Sequence, residues 1–440
     1  MKVMKLALLG TAALVAVSVS ARADELADLK AQIEALQADV SALQAAPSVP
    51  AGYQLLTVSD AERIVAPGLE VRDSMGQAKT ATTIGILPTA DVPASTVIQW
   101  SGSVRAAIAY SDVEHSPYIG LDYDSLHLKA RGRLDVTGTT DTAVGEVGAS
   151  ISMYADFDNN LAAGGTGFTS NSAGVMMDYA WGWWKMTPEL TFAGGYNGSL
   201  ATIGMGLRKV NDAYISRGVS TVDGGDFTQM RVSYASGPIG LAVAIEHTDE
   251  GDNQATPALT GSDSAFGFAA EATYAGDMFN AEIAGYIRDA DADLAWYTGP
   301  LAGDHTQSQV GIGLGANLSD MFNVSVAGSI GNNVFYRSPT TAFAYATLAD
   351  GWEVSAAVIA TLSDSISAEL GAGFSSYEEQ GSAEEADEMT IAGGVYWSPV
   401  SQLKMGVQAS WNSYDFSGVG GIPNADVDVT KAAFVTWWNF

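Results

Sequence analysis

The sequence predicts an all-β transmembrane barrel of about sixteen antiparallel up-and-down strands, preceded by a short N-terminal coiled-coil helix. Three observations predict the barrel. From residue 97 onward, apolar and polar side chains alternate with the period of two that β-strands have. The connections between these segments alternate between short turns and long loops that are acidic or rich in glycine, and the chain ends on an aromatic residue, Phe440. These features are typical of an antiparallel barrel that closes in lipid.

The first 23 residues have the pattern of a secretory signal peptide. Lys2 and Lys5 precede an apolar run from Leu6 to Val19, and small residues lead to a predicted cleavage site after Ala23. The run is shorter than the ~20 residues that a membrane-spanning helix needs. A mature chain that lives in a membrane would therefore cross it as a closed barrel, which also satisfies every backbone polar group in lipid.

Residues 24–45 are predicted to form a coiled-coil helix on the periplasmic side. Apolar residues recur at alternating spacings of three and four, and so short a helix implies a partner. The alternative is an amphipathic helix on the protein's own surface. Residues 46–96 contain several prolines and are predicted to be a linker with a little local order around Tyr53 to Ile64. The coiled-coil seam comprises Leu26, Leu29, Ile33, Leu36, Val40 and Leu43.

Composition and motifs exclude several classes of function. The net charge of -30 argues against nucleic acid as a partner, and the absence of cysteine excludes disulfides and thiolate metal sites. Motifs of the HExxH, GxSxG and P-loop types are absent, so we expect no enzyme, no cofactor and no metal site. Asp289, Asp291 and Asp293 have the spacing of a Ca²⁺ loop, but Leu294 stands in its glycine position. We interpret this segment as a solvated acidic loop.

Residues 97–440 are predicted to form the barrel. Short connections such as 138–142 and 186–189 lie at one rim, and longer loops lie at the other. A barrel of about sixteen strands is too wide for side chains to fill, so it leaves an aqueous channel.

One strand is predicted to line that channel with positive charge. In Ser125–Val136, apolar residues share one face and basic residues share the other. The alternative is a half-solvated strand of a soluble sandwich. Acidic residues on the polar faces of other strands oppose this charge, so the sequence predicts no ion preference. The predicted basic wall comprises Arg105, His127, Lys129, Arg131 and Arg133.

The segment 197–225 is the longest connection without clear alternation, and it lies where the third long loop falls. We predict that it folds into the lumen and forms a constriction, because loops of this length are usually functional. The alternative is an ordinary exposed loop. Its charged residues are Arg208, Lys209, Asp212, Arg217 and Asp223.

Aromatic residues cluster near predicted strand ends, where they would form girdles at the membrane surface. In the last strand, Phe434, Trp438 and Phe440 share one face, and Val435 and Trp437 share the other. A core packing would place aromatic rings in mid-strand instead. The predicted girdle includes Trp100, Tyr110, Tyr179, Trp181, Phe279, Phe322, Trp352, Trp397, Trp438 and Phe440.

The first strand IQWSGSVRAAIAY, the basic strand HLKARGRL, the long third loop and the terminal WWNF resemble the porins of alphaproteobacterial outer membranes. The resemblance implies a trimeric sixteen-stranded barrel, an inward-folded third loop and passive diffusion of small hydrophilic solutes. It also implies that the barrel-assembly machinery recognises the closing strand. Residues 24–96 fall outside the pattern and leave open a contact with a periplasmic partner such as the cell wall.

The expected function is therefore a water-filled channel in the bacterial outer membrane for ions and small hydrophilic solutes. A substrate-specific channel would differ only in the lining of the constriction. A surface adhesin anchored by the barrel is the other alternative.

Overall fold

The computed structural model describes residues 55–69, 79–87, 95–115, 123–158, 175–210, 225–247, 266–291, 304–337, 346–379, 385–417 and 425–440. The chain divides into two compact units, Met1–Leu55 and Leu56–Phe440, and every described strand belongs to the second. The predicted signal peptide and coiled coil, with its six seam residues, lie outside the described residues.

Eighteen strands form in the described ranges, and no helix there is long and apolar enough to cross a membrane. A 3-10 turn spans Gly206–Lys209. The strands are β1 Leu56–Glu62, β2 Thr80–Ile86, β3 Thr96–His115, β4 Tyr123–Thr142, β5 Gly145–Asp158, β6 Met176–Lys185, β7 Leu190–Gly198, β8 Asp226–Ser236, β9 Ile239–His247, β10 Phe266–Ala275, β11 Phe279–Asp291, β12 Asp304–Ser319, β13 Phe322–Arg337, β14 Ala346–Ser363, β15 Ile366–Glu379, β16 Glu385–Val400, β17 Leu403–Ser417 and β18 Ala425–Asn439.

Strands β3 to β18 form a closed antiparallel barrel of sixteen strands. Each pairs with the next, and β18 pairs with β3 from Val427 opposite His115 to Asn439 opposite Ser103. No strand edge is left along that seam, so the backbone polar groups of β18 and β3 are satisfied within the barrel. The predicted all-β barrel and its strand count are confirmed.

Side chains alternate between an apolar outer face and a polar inner face. Outward leucines such as Leu126 and Leu128 are 68% and 61% exposed, whereas inward Asp135 and Thr137 on the same strand are buried. This pattern repeats around the barrel, so hydrocarbon can cover its outside and polar groups line its inside. Further outward apolar residues include Val147, Ile151, Phe266, Phe268, Ile283, Ile287, Val326, Val354, Leu370 and Val407.

The last strand has the two faces that were predicted. Phe434 and Trp438 are exposed outward, whereas Val435 and Trp437 are fully buried inside. Phe440 meets β3 at Gly102 through two backbone hydrogen bonds, with N···O distances of 2.9 and 3.0 Å. The carboxy-terminal residue therefore completes the closure of the barrel.

Two residues predicted for the outer girdle face inward instead. Tyr179 and Trp181 on β6 are each 2% exposed, and the outward aromatic residue of this strand is Trp184. The alternation of β6 fixes this result, because Tyr179, Trp181 and Trp183 share one face. Trp100, by contrast, lies on the outer face of β3 and is 43% exposed.

Two boundaries differ from the prediction. The segment 138–142 is not a turn, because β4 continues to Thr142, which pairs with Gly145 across a two-residue turn. The acidic segment that begins at Asp289 is in part a strand, since β11 extends to Asp291.

The predicted linker contains a hairpin that joins the barrel sheet. Strand β1 pairs with β2 from Leu56 opposite Ile86 to Glu62 opposite Thr80. Strand β2 pairs in turn with the start of β3, from Ile86 opposite Thr96 to Thr82 opposite Trp100. The hairpin thus pairs with the first residues of β3, which β18 does not reach. This part of β3 lies at the end of the barrel where the short turns connect the strands.

Candidate functional site

The third long loop begins after β7, and its first residues are fixed to the inner wall by two glutamates. The Ser199 hydroxyl and the Leu200 N–H donate to the Glu246 carboxylate of β9 at 2.9 and 3.2 Å. Farther along, the Gly204 N–H donates to Glu282 of β11 at 3.1 Å. These carboxylates hold the backbone of the loop against the wall.

The next residues of the loop reach strands β14 and β15. The Leu207 N–H donates to the Ser355 hydroxyl of β14 at 3.1 Å. Leu207 and Val210 are fully buried, and they pack where Gly371 of β15 has no side chain. A Cβ at Gly371 would lie 2.6 Å from Leu207 Cδ1, so a larger residue would displace the loop. Residues 199–210 therefore follow the inner wall from β9 to β15.

Of the predicted constriction residues, Arg208 and Lys209 lie on the 3-10 turn and are half-exposed. Asp212, Arg217 and Asp223 lie outside the described residues.

Gly206 gives a direct test of this packing. Its φ is +65°, and a Cβ there would lie 2.9 Å from Ala327 Cβ and closer still to the Ser355 hydroxyl. We expect Gly206→Val to detach the 3-10 turn and to expose residues 199–210 to limited proteolysis. Gly237 is the matched control, because its φ is +57° but nothing lies within 4 Å of its added Cβ. Equal cleavage of the Gly206→Val and Gly237→Val variants would contradict this packing.

The predicted basic wall is on the inner face, but its central arginine is paired. Arg131 makes a bidentate ion pair with Asp156 of β5, with N···O distances of 2.5 and 2.6 Å. Its guanidinium also lies 4.3 Å from the centre of the Tyr154 ring. Each partner's side chain is about one third exposed, so the pair remains accessible from the lumen.

Arg133 belongs to a more buried cluster. It pairs with Asp135 on its own strand at 3.0 Å and with Asp178 of β6 at 3.0 Å. The Tyr179 hydroxyl donates to Asp135 at 3.3 Å. The wall around Arg131 and Arg133 is therefore made of paired charges, whereas the sequence pattern indicated a ladder of basic residues.

The remaining residues of the predicted wall lie beside these pairs. Arg105 of β3 stands opposite Arg131 in the strand register, and Lys129 stands opposite Ala107. His127 Nε2 lies 2.6 Å from the Ser125 hydroxyl. All three side chains are half-buried.

Two inward-facing cations on other strands, Arg231 and Lys404, were not predicted from the sequence. Arg231 of β8 is 5% exposed and lies 5.2 Å from the Trp181 ring centre. Lys404 of β17 lies 4.0 Å from the ring centre of Tyr396 and 5.0 Å from that of Trp437. The period of two could have identified both, since each alternates with outward residues. Their aromatic partners required the strand register.

Acidic residues lie on the inner wall at β14 and β15. Glu353 accepts a hydrogen bond from Tyr377, and Glu369 accepts one from Tyr396. Within the described ranges, no cluster of three or more His, Asp or Glu side chains could hold a metal ion. Fixed charges of both signs therefore face the lumen. The described wall can contact ions and polar solutes through these charges and through hydrogen bonds.

Comparison with known proteins identifies the fold. No protein-family model and no curated protein matches the chain. Among solved structures, Salmonella typhi OmpF in complex with daunomycin matches with a TM-score of 0.55 and 12% identity, over 78% of this chain and 98% of that chain. Pseudomonas putida OprB matches at 0.51 and 10%, over 78% and 94%. An anion-selective porin from Comamonas acidovorans matches at 0.50 and 12%, over 78% and 100%. The chain therefore has the fold of bacterial outer-membrane porins.

Proposed function

We propose that the chain is an outer-membrane porin that lets ions and small hydrophilic solutes diffuse passively through a water-filled channel. One observation carries the proposal: a sixteen-stranded barrel, apolar outside and polar inside, holds residues 199–210 of its third loop against the inner wall. A barrel of this size is too wide for wall side chains to fill, so the loop sets the width of the passage. Nothing in this mechanism requires catalysis or a cofactor.

Fixed charges of both signs face the lumen. Residues 199–210, which carry Arg208 and Lys209, lie on β9 to β15, and Glu353 and Glu369 lie on β14 and β15. The arginines of β3 and β4 lie elsewhere on the wall, beside Asp135 and Asp156. Opposed charges across a narrow passage orient polar solutes and disfavour apolar ones. This arrangement supports a diffusion channel that selects by size and polarity.

A liposome swelling assay tests solute passage. Liposomes that contain the folded protein should swell in sugars at rates that fall steadily as sugar size increases. Fast entry of one sugar among others of the same size would identify a substrate-specific channel instead. Rates equal to those of protein-free liposomes would contradict the proposal.

Ion selectivity should depend on the Arg131–Asp156 pair, because a fixed charge in a narrow pore sets the local ion concentration. We expect Arg131→Gln to shift the reversal potential toward cation preference and Asp156→Asn to shift it toward anions. The pair is partly exposed, so its loss should cost the fold only about 0.2–1 kcal/mol.

The double variant Arg131→Gln/Asp156→Asn is the control, and it should return close to the wild-type potential. Reversal potentials that do not respond to either single substitution would place the pair outside the conducting path. Charge reversal at Arg133 is less informative, since breaking its buried pairs with Asp135 and Asp178 would cost the fold about 3–5 kcal/mol.

We propose further that the protein is a homotrimer of the alphaproteobacterial porin family in the outer membrane. The exposed apolar outer face supports contact with lipid and with neighbouring barrels. The terminal strand that ends at Phe440 would be read by the barrel-assembly machinery. Residues 24–45 would lie in the periplasm and contact a partner there, such as the cell wall. The molar mass of the native complex in detergent tests the trimer.

A further inference from the structure

The segment from Glu62, the last residue of β1, to Leu69 enters the barrel from the rim of the short turns, and we call it the strap. We propose that the strap is a second constriction element, and that it shares its anchor with the third loop at Arg231. This proposal rests on the proposed channel function. It assigns the strap the role of determining which solutes pass the channel entrance at the rim of the short turns. Short turns of such barrels face the periplasm, so the strap would narrow the periplasmic side.

One end of the strap is fixed to the start of β3. The inward Gln99 side chain donates from Nε2 to the Glu62 carbonyl at 2.9 Å, and its Oε1 accepts from the Ile64 N–H at 2.6 Å. Gln99 is 3% exposed. Both hydrogen-bonding ends of one buried amide are thus used to hold the strap backbone.

The other end of the strap is fixed to strands β6 and β7. Trp181 Nε1 donates to the Pro67 carbonyl at 2.8 Å, and Asn197 Nδ2 donates to the Gly68 carbonyl at 3.0 Å. Ala66 and Leu69 are buried in one cluster with Trp181 and other inward residues of β6 and β7. Three buried side chains, from β3, β6 and β7, therefore bind backbone groups of the strap.

Arg231 of β8 joins the strap to the third loop. Its Nη1 donates to the Gly68 carbonyl at 3.4 Å, and its Nη2 donates to the Gly198 carbonyl at 3.1 Å. Gln229 donates to the same Gly198 carbonyl at 2.9 Å. Gly198 is the last residue of β7, immediately before the loop begins, so one guanidinium fixes the ends of both inserted segments.

The sequence at this junction fits the contact. Gly68 has φ +86°, and an added Cβ would lie 2.6 Å from Arg231 Nη1. A side chain at this position would therefore be strained and would push the guanidinium away. The strap also carries Arg63, a cation that lies close to Tyr179 and to the Arg133 cluster. The strap thus adds a further cation to the basic wall.

The strap and the third loop cover different parts of the wall. Contacts of the strap run from β3 to β8, and contacts of the loop run from β9 to β15. A cavity of about 580 Å³ borders both, and its lining includes Gly68 of the strap, Arg208 of the third loop, and Glu271 and Glu282 of the wall. Solutes that pass this cavity would contact groups from both inserted segments.

Thiol modification tests whether the strap borders the conducting path. The chain contains no cysteine, so a single introduced thiol reacts without background. Val65 in the strap is 38% exposed, and Val58 in the middle of β1 is 71% exposed. We expect a bulky charged thiol reagent to reduce the conductance of open Val65→Cys channels and to leave Val58→Cys channels unchanged. Full modification of Val65→Cys, verified by mass, without a change in conductance would overturn the proposal.

Removal of the strap gives an independent readout. Glu62 and Thr80 are paired, so Asn-Gly can replace residues 63–79 as a two-residue hairpin turn. We expect larger sugars to enter liposomes faster through this variant than through the wild type. Equal size limits for the two channels would overturn the strap proposal and leave the channel function standing. Wild-type protein that is folded but conducts nothing would overturn the channel function itself.

Discussion

Replacement of Glu246 and Glu282 by alanine will free the start of the third loop and widen the channel. The two carboxylates accept three hydrogen bonds, from Ser199, Leu200 and Gly204. Each buried donor that loses its acceptor costs about 1–3 kcal/mol, which disfavours the pinned position of the loop. We expect a higher single-channel conductance and faster entry of larger sugars into liposomes.

The matched control replaces the same two residues by glutamine. Glu246→Gln/Glu282→Gln removes the same charge but retains a carbonyl oxygen that can accept the loop's hydrogen bonds. Its size limit for sugars should therefore stay close to that of the wild type. If the glutamine and alanine pairs pass sugars equally well, charge rather than loop position sets the size limit, and the account of the loop is wrong.

Deletion of Phe440 will remove most assembled barrel from the outer membrane. The residue exchanges two backbone hydrogen bonds with Gly102, each worth about 0.5–1.5 kcal/mol, and its ring covers the space above that glycine. The deletion also removes the terminal aromatic residue that the barrel-assembly machinery is proposed to recognise. The amount of heat-modifiable protein in isolated outer membranes measures the effect.

Phe440→Tyr is the control for this deletion, because it keeps the backbone bonds and the ring. Refolding of both variants in detergent separates the two causes. A deletion variant that refolds well in detergent but is depleted in cells would point to recognition during assembly. Wild-type levels of the deletion variant in cells would contradict the proposed role of the terminal residue.

The barrel could be predicted from the sequence because its signals are local. A strand that faces lipid on one side and the lumen on the other alternates at every second residue, as Leu126, Leu128 and their neighbours do. The closing strand was predictable for the same reason, since Phe434 and Trp438 alternate with Val435 and Trp437.

The inner surface was less predictable because its contacts depend on strand register. The sequence of β4 alone does not indicate that Arg131 has an acidic partner, but Asp156 stands opposite it on β5. The strap was missed because its partners are distant in sequence: Trp181 lies 114 residues from Pro67, and Arg231 lies 163 residues from Gly68. Its flanking strands are short, and β1 is mostly exposed, so residues 46–96 resembled a linker.

The central claim is that this barrel conducts, and planar bilayer recording tests it most directly. Insertion of folded, detergent-extracted protein should raise the conductance in steps that come in multiples of three. The reversal potential should be set by the charges of the lumen. A panel of sugars and amino acids added as blockers should reduce the current only weakly. Insertion of verified folded protein with no conductance would contradict the account.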